Sequence, residues 1–248
     1  MLNYKSKEAA EYFSKNRYQI DGFYDSEKYI LNAFIEKVNS SDKYHSILDI
    51  GCASGGLGRA LKDRLKGKLR YIGIDINPLS IDFGRNLYSD LELIEGDFSK
   101  KINILNKEKI DTVFSFSCID WNEDFEKSLE TILNFCKNKQ SDFIFTFRAS
   151  EIGINNMQKS YQFINYENEK RGEIANYVVL SFEQIKLIIE KFNSQNTLIS
   201  AYKGLPSEVA VTPYSELVFG CIWFQNCFKG KSLSETLIEG KFPLSLIL

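Results

Sequence analysis

Between Ser46 and Phe147 the chain alternates short apolar runs with stretches of helical periodicity. The runs are Ser46–Ile50, Leu69–Ile74, Leu91–Glu95, Ile110–Phe116 and Asp142–Phe147. Strands this apolar, spaced by helices, bury both faces only in a parallel sheet covered on both sides. Right-handed crossovers then make the sheet doubly wound. Helices are expected from Gly56 to Lys66 and from Asn77-Pro78 to Tyr88, the latter opened by a capping side chain and a proline at the first helical position. Another should carry Phe125, Leu129, Ile132, Leu133 and Cys136 on one face.

The flanks are read in the same way. Tyr4 to Tyr18 has the pattern of a polar, aromatic helix, and after Asp25 a helix carries Ile30, Leu31, Phe34, Ile35 and Val38 on one stripe. Beyond Arg148 the periodicity breaks, and residues 150–180 are expected to form a lid insertion. Ser181-Phe182-Glu183-Gln184 is a capping box opening a helix with Ile185, Ile188, Ile189 and Phe192 inward. Strands near Thr197–Tyr202 and Glu216–Phe224 follow, the last free to run antiparallel because no helix separates the two. The expected fold is an α/β, doubly wound, Rossmann-like seven-stranded sheet, mostly parallel with an antiparallel last strand. It is read as one domain: an N-terminal helical cap (1–43), a cofactor-binding core (44–149), an acceptor lid (150–180) and a C-terminal helix with strands (181–248). The tail, Phe242 to Leu248, is expected to fold back or to meet a second subunit, so a homodimer is one expectation.

Composition removes several classes of function. The formal net charge is −2 and no run of Lys or Arg marks a nucleic-acid surface, so no nucleic-acid partner is expected. No leader-like segment and no apolar stretch of membrane-spanning length is found, and 44 % apolar residues are ample for a core. Five cysteines without a C-x-x-C pair read as reduced thiols of a cytoplasmic protein. With His45 as the sole histidine, no metal site is expected.

Chemistry concentrates in Leu48-Asp49-Ile50-Gly51-Cys52-Ala53-Ser54-Gly55-Gly56, where a strand gives way to a loop cleared of side chains beside one carboxylate. Such a loop lies beyond the carboxyl end of the first strand, where open α/β sheets bind ligands. A dinucleotide fingerprint fits poorly, because the nearest match is Gly51-x-Ala53-x-x-Gly56 and a pyrophosphate leaves Asp49 unexplained. A ligand with an amino-acid end and an adenosine end suits the residues better. Asp49 would face an ammonium group, Asp75 would accept from two ribose hydroxyls, and Asp97 would take an exocyclic amine beside Phe98.

The segments LDIGCASGG, YIGIDINPLSI, LIEGDFS and IDTVFSFSCIDW, in this order, resemble the class I S-adenosylmethionine-dependent methyltransferases. The resemblance implies S-adenosylmethionine as donor, S-adenosylhomocysteine as product, and binding by Asp49, Gly51, Ala53, Gly55, Asp75, Ile76, Asp97 and Phe98, with Ser117 beside the methionyl part. Ala53 stands where that family usually has its middle glycine. Methyl transfer from a sulfonium mainly requires alignment of the nucleophile, which is worth roughly 7–11 kcal/mol.

For proton removal the candidates are Asp120, past the fourth strand, and Glu151, past the fifth; an acceptor arriving deprotonated needs neither. No Asn/Asp-Pro-Pro-Tyr/Phe sequence follows the fourth strand, which argues against an adenine or glutamine amide acceptor. The acceptor is expected to meet Tyr18, Arg148, Lys159, Tyr161, Tyr166 and Arg171, with Tyr12, Phe13, Arg17, Tyr24, Phe163 and Tyr177 in the same two segments. Aromatics among cations suit a small polar acceptor, glycosyl or phosphorylated, methylated on oxygen. The alternatives are a non-catalytic cofactor-binding regulator, a nicotinamide oxidoreductase, and a methyltransferase acting on protein or RNA.

Overall fold

A computed structural model describes residues 7, 10, 17–65, 69–165, 169–227 and 237–239. Most of the expected helix Tyr4–Tyr18, with Tyr12 and Phe13, lies outside the described residues, as do Lys66, Tyr166 and the tail Phe242–Leu248.

The five expected core strands form as β1 (His45–Ile50), β2 (Leu69–Asp75), β3 (Glu92–Glu95), β4 (Thr112–Ser115) and β5 (Asp142–Ser150), all mutually parallel where they pair. Downstream come β6 (Tyr161–Ile164), β7 (Glu173–Asn176), β8 (Leu180–Ser181), β9 (Asn196–Gly204), β10 (Ala210–Val211), β11 (Leu217–Gln225) and β12 (Leu237–Glu239). Spatial order is β12-β9-β11-β5-β4-β1-β2-β3, with β11 antiparallel to both neighbours. The expected sheet is therefore present as β9-β11-β5-β4-β1-β2-β3, extended by β12 beside β9 and by a short β5–β8 pairing. Order reverses between β1 and β4, and such a reversal opens a crevice at the carboxyl ends.

Six described α-helices cover the two faces: α1 (Asp25–Asn39), α2 (Gly56–Arg64), α3 (Pro78–Leu87), α4 (Phe98–Leu105), α5 (Phe125–Lys139) and α6 (Phe182–Phe192). The alternation along β1 decides which face each packs on. Ile47 joins Phe34, Leu61, Ile81 and Trp223 under α1, α2 and α3. Leu48 and Ile50 join Phe98, Phe135, Phe143 and Phe192 under α4, α5 and α6. Asp49 therefore faces the α1–α3 layer, which explains a carboxylate inside an apolar run without breaking the strand.

Local signals account for the helix starts. Asn77 caps α3 by accepting from the Leu79 and Ser80 amides, with Pro78 at the first position. Ser181 and Gln184 make the reciprocal capping box, at 3.1 and 2.8 Å. Helix α4 is an addition to the expected elements; Asp97 caps it, and Phe98 and Leu105 bury its inner side.

The insertion is more regular than its sequence suggested. β6 and β7 pair antiparallel and β10, from the β9–β11 connection, adds to β6. This small sheet meets Trp121, which packs against the cluster of Ile164 and Ala175 and against that of Tyr177, Val179 and Leu217.

Candidate functional site

The first four carboxyl ends of the parallel strands meet along one rim. At β1 the chain turns through Gly51 (φ +77°), Ala53 (φ +47°) and Gly55 (φ +83°) before entering α2. The Gly51 and Cys52 amides donate to the Ile74 carbonyl at 2.8 and 3.1 Å, fastening the loop to the end of β2. A Cβ on Gly51 would lie 2.3 Å from Cys118 Sγ, so this glycine is required by close approach as well as by its backbone angle.

Asp75 closes β2 and organises the loop. Its Oδ2 accepts from the Ala53 amide at 2.9 Å and its Oδ1 from the Asn77 amide at 2.8 Å. Enclosure by protein raises its pKa, and the backbone amides of Asn77, Ala53 and Ile76 pull in the opposite direction. Asp75 and Ile76 are both half-buried, so this edge stays open to a ligand.

Asp49 is 3 % exposed and accepts a hydrogen bond from Tyr71 Oη. Burial, reinforced by nearby Asp75, pushes its carboxyl up to about 7, against the Tyr71 hydrogen bond and Arg17. Tyr71 escaped the sequence reading; its signal was the pairing of a strand tyrosine with an acid on the neighbouring strand, visible only once the register Asp49–Gly73 is known. The Tyr71 ring fills the space that a side chain at Gly58 would take.

Asp97 follows β3 by two residues. Its Oδ1 accepts from the Ser99 amide and hydroxyl at 2.9 and 2.7 Å, so it serves as a helix cap, and its side chain is 28 % exposed. Phe98 is buried and meets Phe135 edge-on at 5.7 Å, placing its ring in the core. Ser117, in the left-handed region at φ +47°, donates its amide to Thr146 Oγ1 at 2.6 Å.

The candidates for proton transfer and acceptor contact separate into two groups. Asp120 and Arg148 come together beneath the insertion, their side chains 5 % and 6 % exposed, with Nη2 3.1 Å from Oδ2. Burial raises the Asp120 pKa while Arg148 lowers it. Asp120 Oδ1 and Trp121 Nε1 are buried without a hydrogen-bond partner among the described residues. Arg148, expected to meet the acceptor, lies inside the molecule and is held by its own chain. Glu27, also buried, and Arg17 pair nearby at 3.2 Å, and both act electrostatically on Asp120. Glu151, Lys159 and Arg171 are exposed, and Arg171 pairs with Glu169 at 2.5 Å. Tyr18 is 46 % exposed, and Tyr161 is half-buried against Phe163. Among the described residues no cluster of metal-ligating side chains occurs, and no helix is long and apolar enough to cross a membrane.

The donor set fits a cationic nucleoside. Buried Asp49 and half-buried Asp75 flank the Gly51–Gly55 loop, and Ser54 Oγ within it is buried with no partner among the described residues.

Residues 41–198 match the family described as methyltransferase domain. A malonyl-[acyl-carrier protein] O-methyltransferase from Acetivibrio thermocellus is 26 % identical over 161 residues, 64 % of this chain and 54 % of that protein. Malonyl-[acyl-carrier protein] O-methyltransferase 1 from Ilyobacter polytropus is 21 % identical over 215 residues, 83 % of this chain and 80 % of that one. The chain thus spans about half the length of the first relative and most of the second. Among solved structures, the N-terminal domain of EvdMO1 with SAH bound superposes with a TM-score of 0.51 at 13 % identity, over 89 % of this chain and 82 % of that domain; this likeness concerns the fold.

Proposed function

The chain belongs to the S-adenosylmethionine-dependent methyltransferase family, and from that premise we propose that it transfers the donor's methyl group to a carboxylate oxygen of a small acid, free or held as a thioester. The observation that carries this reading is the Asp120–Arg148 ion pair: the best-placed acid–base side chain is already engaged, at 3.1 Å, by a buried cation. A carboxylate is ionised at neutral pH and needs no base, whereas a sugar hydroxyl does. The curated relatives carry O-methyltransferase names with a malonyl group, itself an acid, as acceptor. These points move the reading from a sugar or phosphate oxygen to a carboxyl oxygen.

In this mechanism the bound donor supplies an electrophilic methyl on a sulfonium. The protein's share is orientation. Asp49 faces the ammonium end, Asp75 accepts from the ribose hydroxyls, and Gly51, Ala53 and Gly55 let the loop backbone approach. Asp97, Phe98, Ile76 and Ser117 complete the proposed cofactor wall, with Phe98 contributing through its backbone because its ring is in the core. The small sheet of β6, β7 and β10 covers the acceptor side and keeps water out, since hydrolysis competes with transfer.

The test is a panel of short dicarboxylates, malonyl thioesters, sugars and sugar phosphates, incubated with S-adenosylmethionine. Expected is a gain of one methyl on the acids only, in a product cleaved by mild alkali as esters are. Methylation of the sugars with the acids untouched would sink the reading.

Asp49 gives a pH signature. Its folded carboxyl keeps its proton up to about 7, while the unfolded one titrates near 3.9. Its stabilising contribution is complete below the unfolded value and disappears as pH rises through about 7. The free protein should therefore melt lower at pH 8 than at pH 6, and Asp49→Asn should shrink that difference. A cationic amino group favours the ionised form, so donor binding should release a proton and tighten between pH 6 and 8. Calorimetry in buffers of different ionisation enthalpy measures that proton; equal proton release by wild type and Asp49→Asn would exclude Asp49 as its source.

A further inference from the structure

The geometry points to Arg148 as a positioning residue that locks the small covering sheet to the core, setting acceptor affinity while leaving the cofactor half of the site untouched. Arg148 leaves β5 one residue before Ala149 pairs with Leu180 of β8, so it stands at the junction of core and insertion. Its Nε donates to the Val178 carbonyl at 3.1 Å. Its Nη2 donates to the Asp120 carbonyl and lies 3.1 Å from Asp120 Oδ2. The Val178 amide in turn donates to the same Asp120 carbonyl at 3.2 Å. One guanidinium therefore ties the end of a core strand, the turn after β4 and the connection from β7 to β8 into a closed ring of hydrogen bonds.

Two aromatic rings pack against the same group, at roughly a right angle to one another. Its central carbon lies 4.4 Å from the Trp121 ring centroid and 3.9 Å from that of Tyr177, and those rings meet edge-on at 5.7 Å. Trp121 is the residue that the small sheet meets, so the position of the sheet follows the position of the guanidinium. A planar fork can donate in two directions while aromatic rings pack against it; an ammonium of the same charge cannot. A mere counterion for Asp120 would need none of this, and a buried ion pair as such is weak evidence for stability. The hydrogen bonds that hold the Gly51–Gly55 loop and Asp75 involve none of the groups bound to Arg148.

The kinetic arm of the test rests on the carboxylate reading above; the exchange arm does not. Arg148→Met, Arg148→Lys and the charge-free pair Arg148→Met/Asp120→Asn are compared with wild type. S-adenosylhomocysteine affinity by calorimetry is expected to stay within twofold in all of them. Hydrogen exchange at the Val178 amide should accelerate at least tenfold in every variant, Arg148→Lys included, while amides of β1 stay protected. With a malonyl thioester as probe, KM for the probe should rise tenfold or more and kcat should change less than threefold. Unchanged exchange at Val178 would overturn the lock whether or not the probe is turned over. Wild-type exchange and KM in Arg148→Lys would overturn it in favour of a simple counterion. Should Arg148→Met leave a charge that prevents folding, the charge-free pair decides. Absence of turnover with any carboxylate, alongside accelerated exchange, would refute the acceptor assignment and the kinetic role while leaving the lock in place.

Discussion

Replacing Asp75 with alanine is expected to weaken S-adenosylmethionine binding by about 1.5–3 kcal/mol, roughly ten- to 150-fold, the range for hydrogen bonds to a charged acceptor. Oδ2 already holds the glycine loop through the Ala53 amide at 2.9 Å and Oδ1 the entry to α3 through the Asn77 amide at 2.8 Å, and each retains a lone pair for a ligand hydroxyl. The alanine variant therefore loses the ligand contacts and the loop anchor together. Asp75→Asn should be nearly as damaging, because its amide group would place N–H donors against one of those two backbone donors. Asp75→Glu keeps the charge but moves it along the crevice, and should fall between. Titration calorimetry reads all three, with circular dichroism to show that β2 and α3 persist. Wild-type affinity in Asp75→Ala would remove this residue from the cofactor site.

Much of this architecture was legible because burial writes itself into sequence. The β1, β2 and β5 runs are apolar on both faces because helices cover both, and the capping box at Ser181 was readable from four residues. Helix α4 could have been found too: Phe98, Ile102 and Leu105 recur at helical spacing, but over only eight residues, and Asp97 and Phe98 carried a competing ligand reading. The covering sheet was hidden for a different reason. β6 and β7 have four residues each, with mostly half-buried side chains, so neither shows a period of two, and their partner β10 lies beyond α6 in sequence. The site followed the same division. Asp49, Gly51 and Asp75 are fixed by local strand ends and could be placed directly. The pairing of Asp120 with Arg148, and of Asp49 with Tyr71, depends on which strands become neighbours, and one chain of letters does not state that.

Gly51→Ala is expected to destabilise this protein strongly, on two counts. The residue sits at φ +77°, where an L side chain costs about 1–2 kcal/mol. Its new Cβ would lie 2.3 Å from Cys118 Sγ and 2.5 Å from Cys118 Cβ, and overpacking of that kind typically costs about 1–3 kcal/mol. Together the two effects reach roughly 2–5 kcal/mol, a large share of the 5–15 kcal/mol that holds a typical domain folded. Thermal melting should show it, and cofactor affinity should fall in the surviving fraction, because shifting Gly51 strains the amides bound to Ile74 and carries the Ala53 amide away from Asp75. Cys118→Gly in the same chain removes both contacts and should recover the steric part, leaving only the backbone cost; Cys118→Ala, which keeps the Cβ at 2.5 Å, should recover less. If Gly51→Ala/Cys118→Gly melts no higher than Gly51→Ala, the contact with Cys118 is not the cause. Ala53 gives the internal comparison. It already carries a methyl in the left-handed region at φ +47°, two residues along the same loop. What sets position 51 apart is therefore less the backbone angle than the thiol packed against it, which couples the turn after β4 to the loop after β1 across the point where strand order reverses.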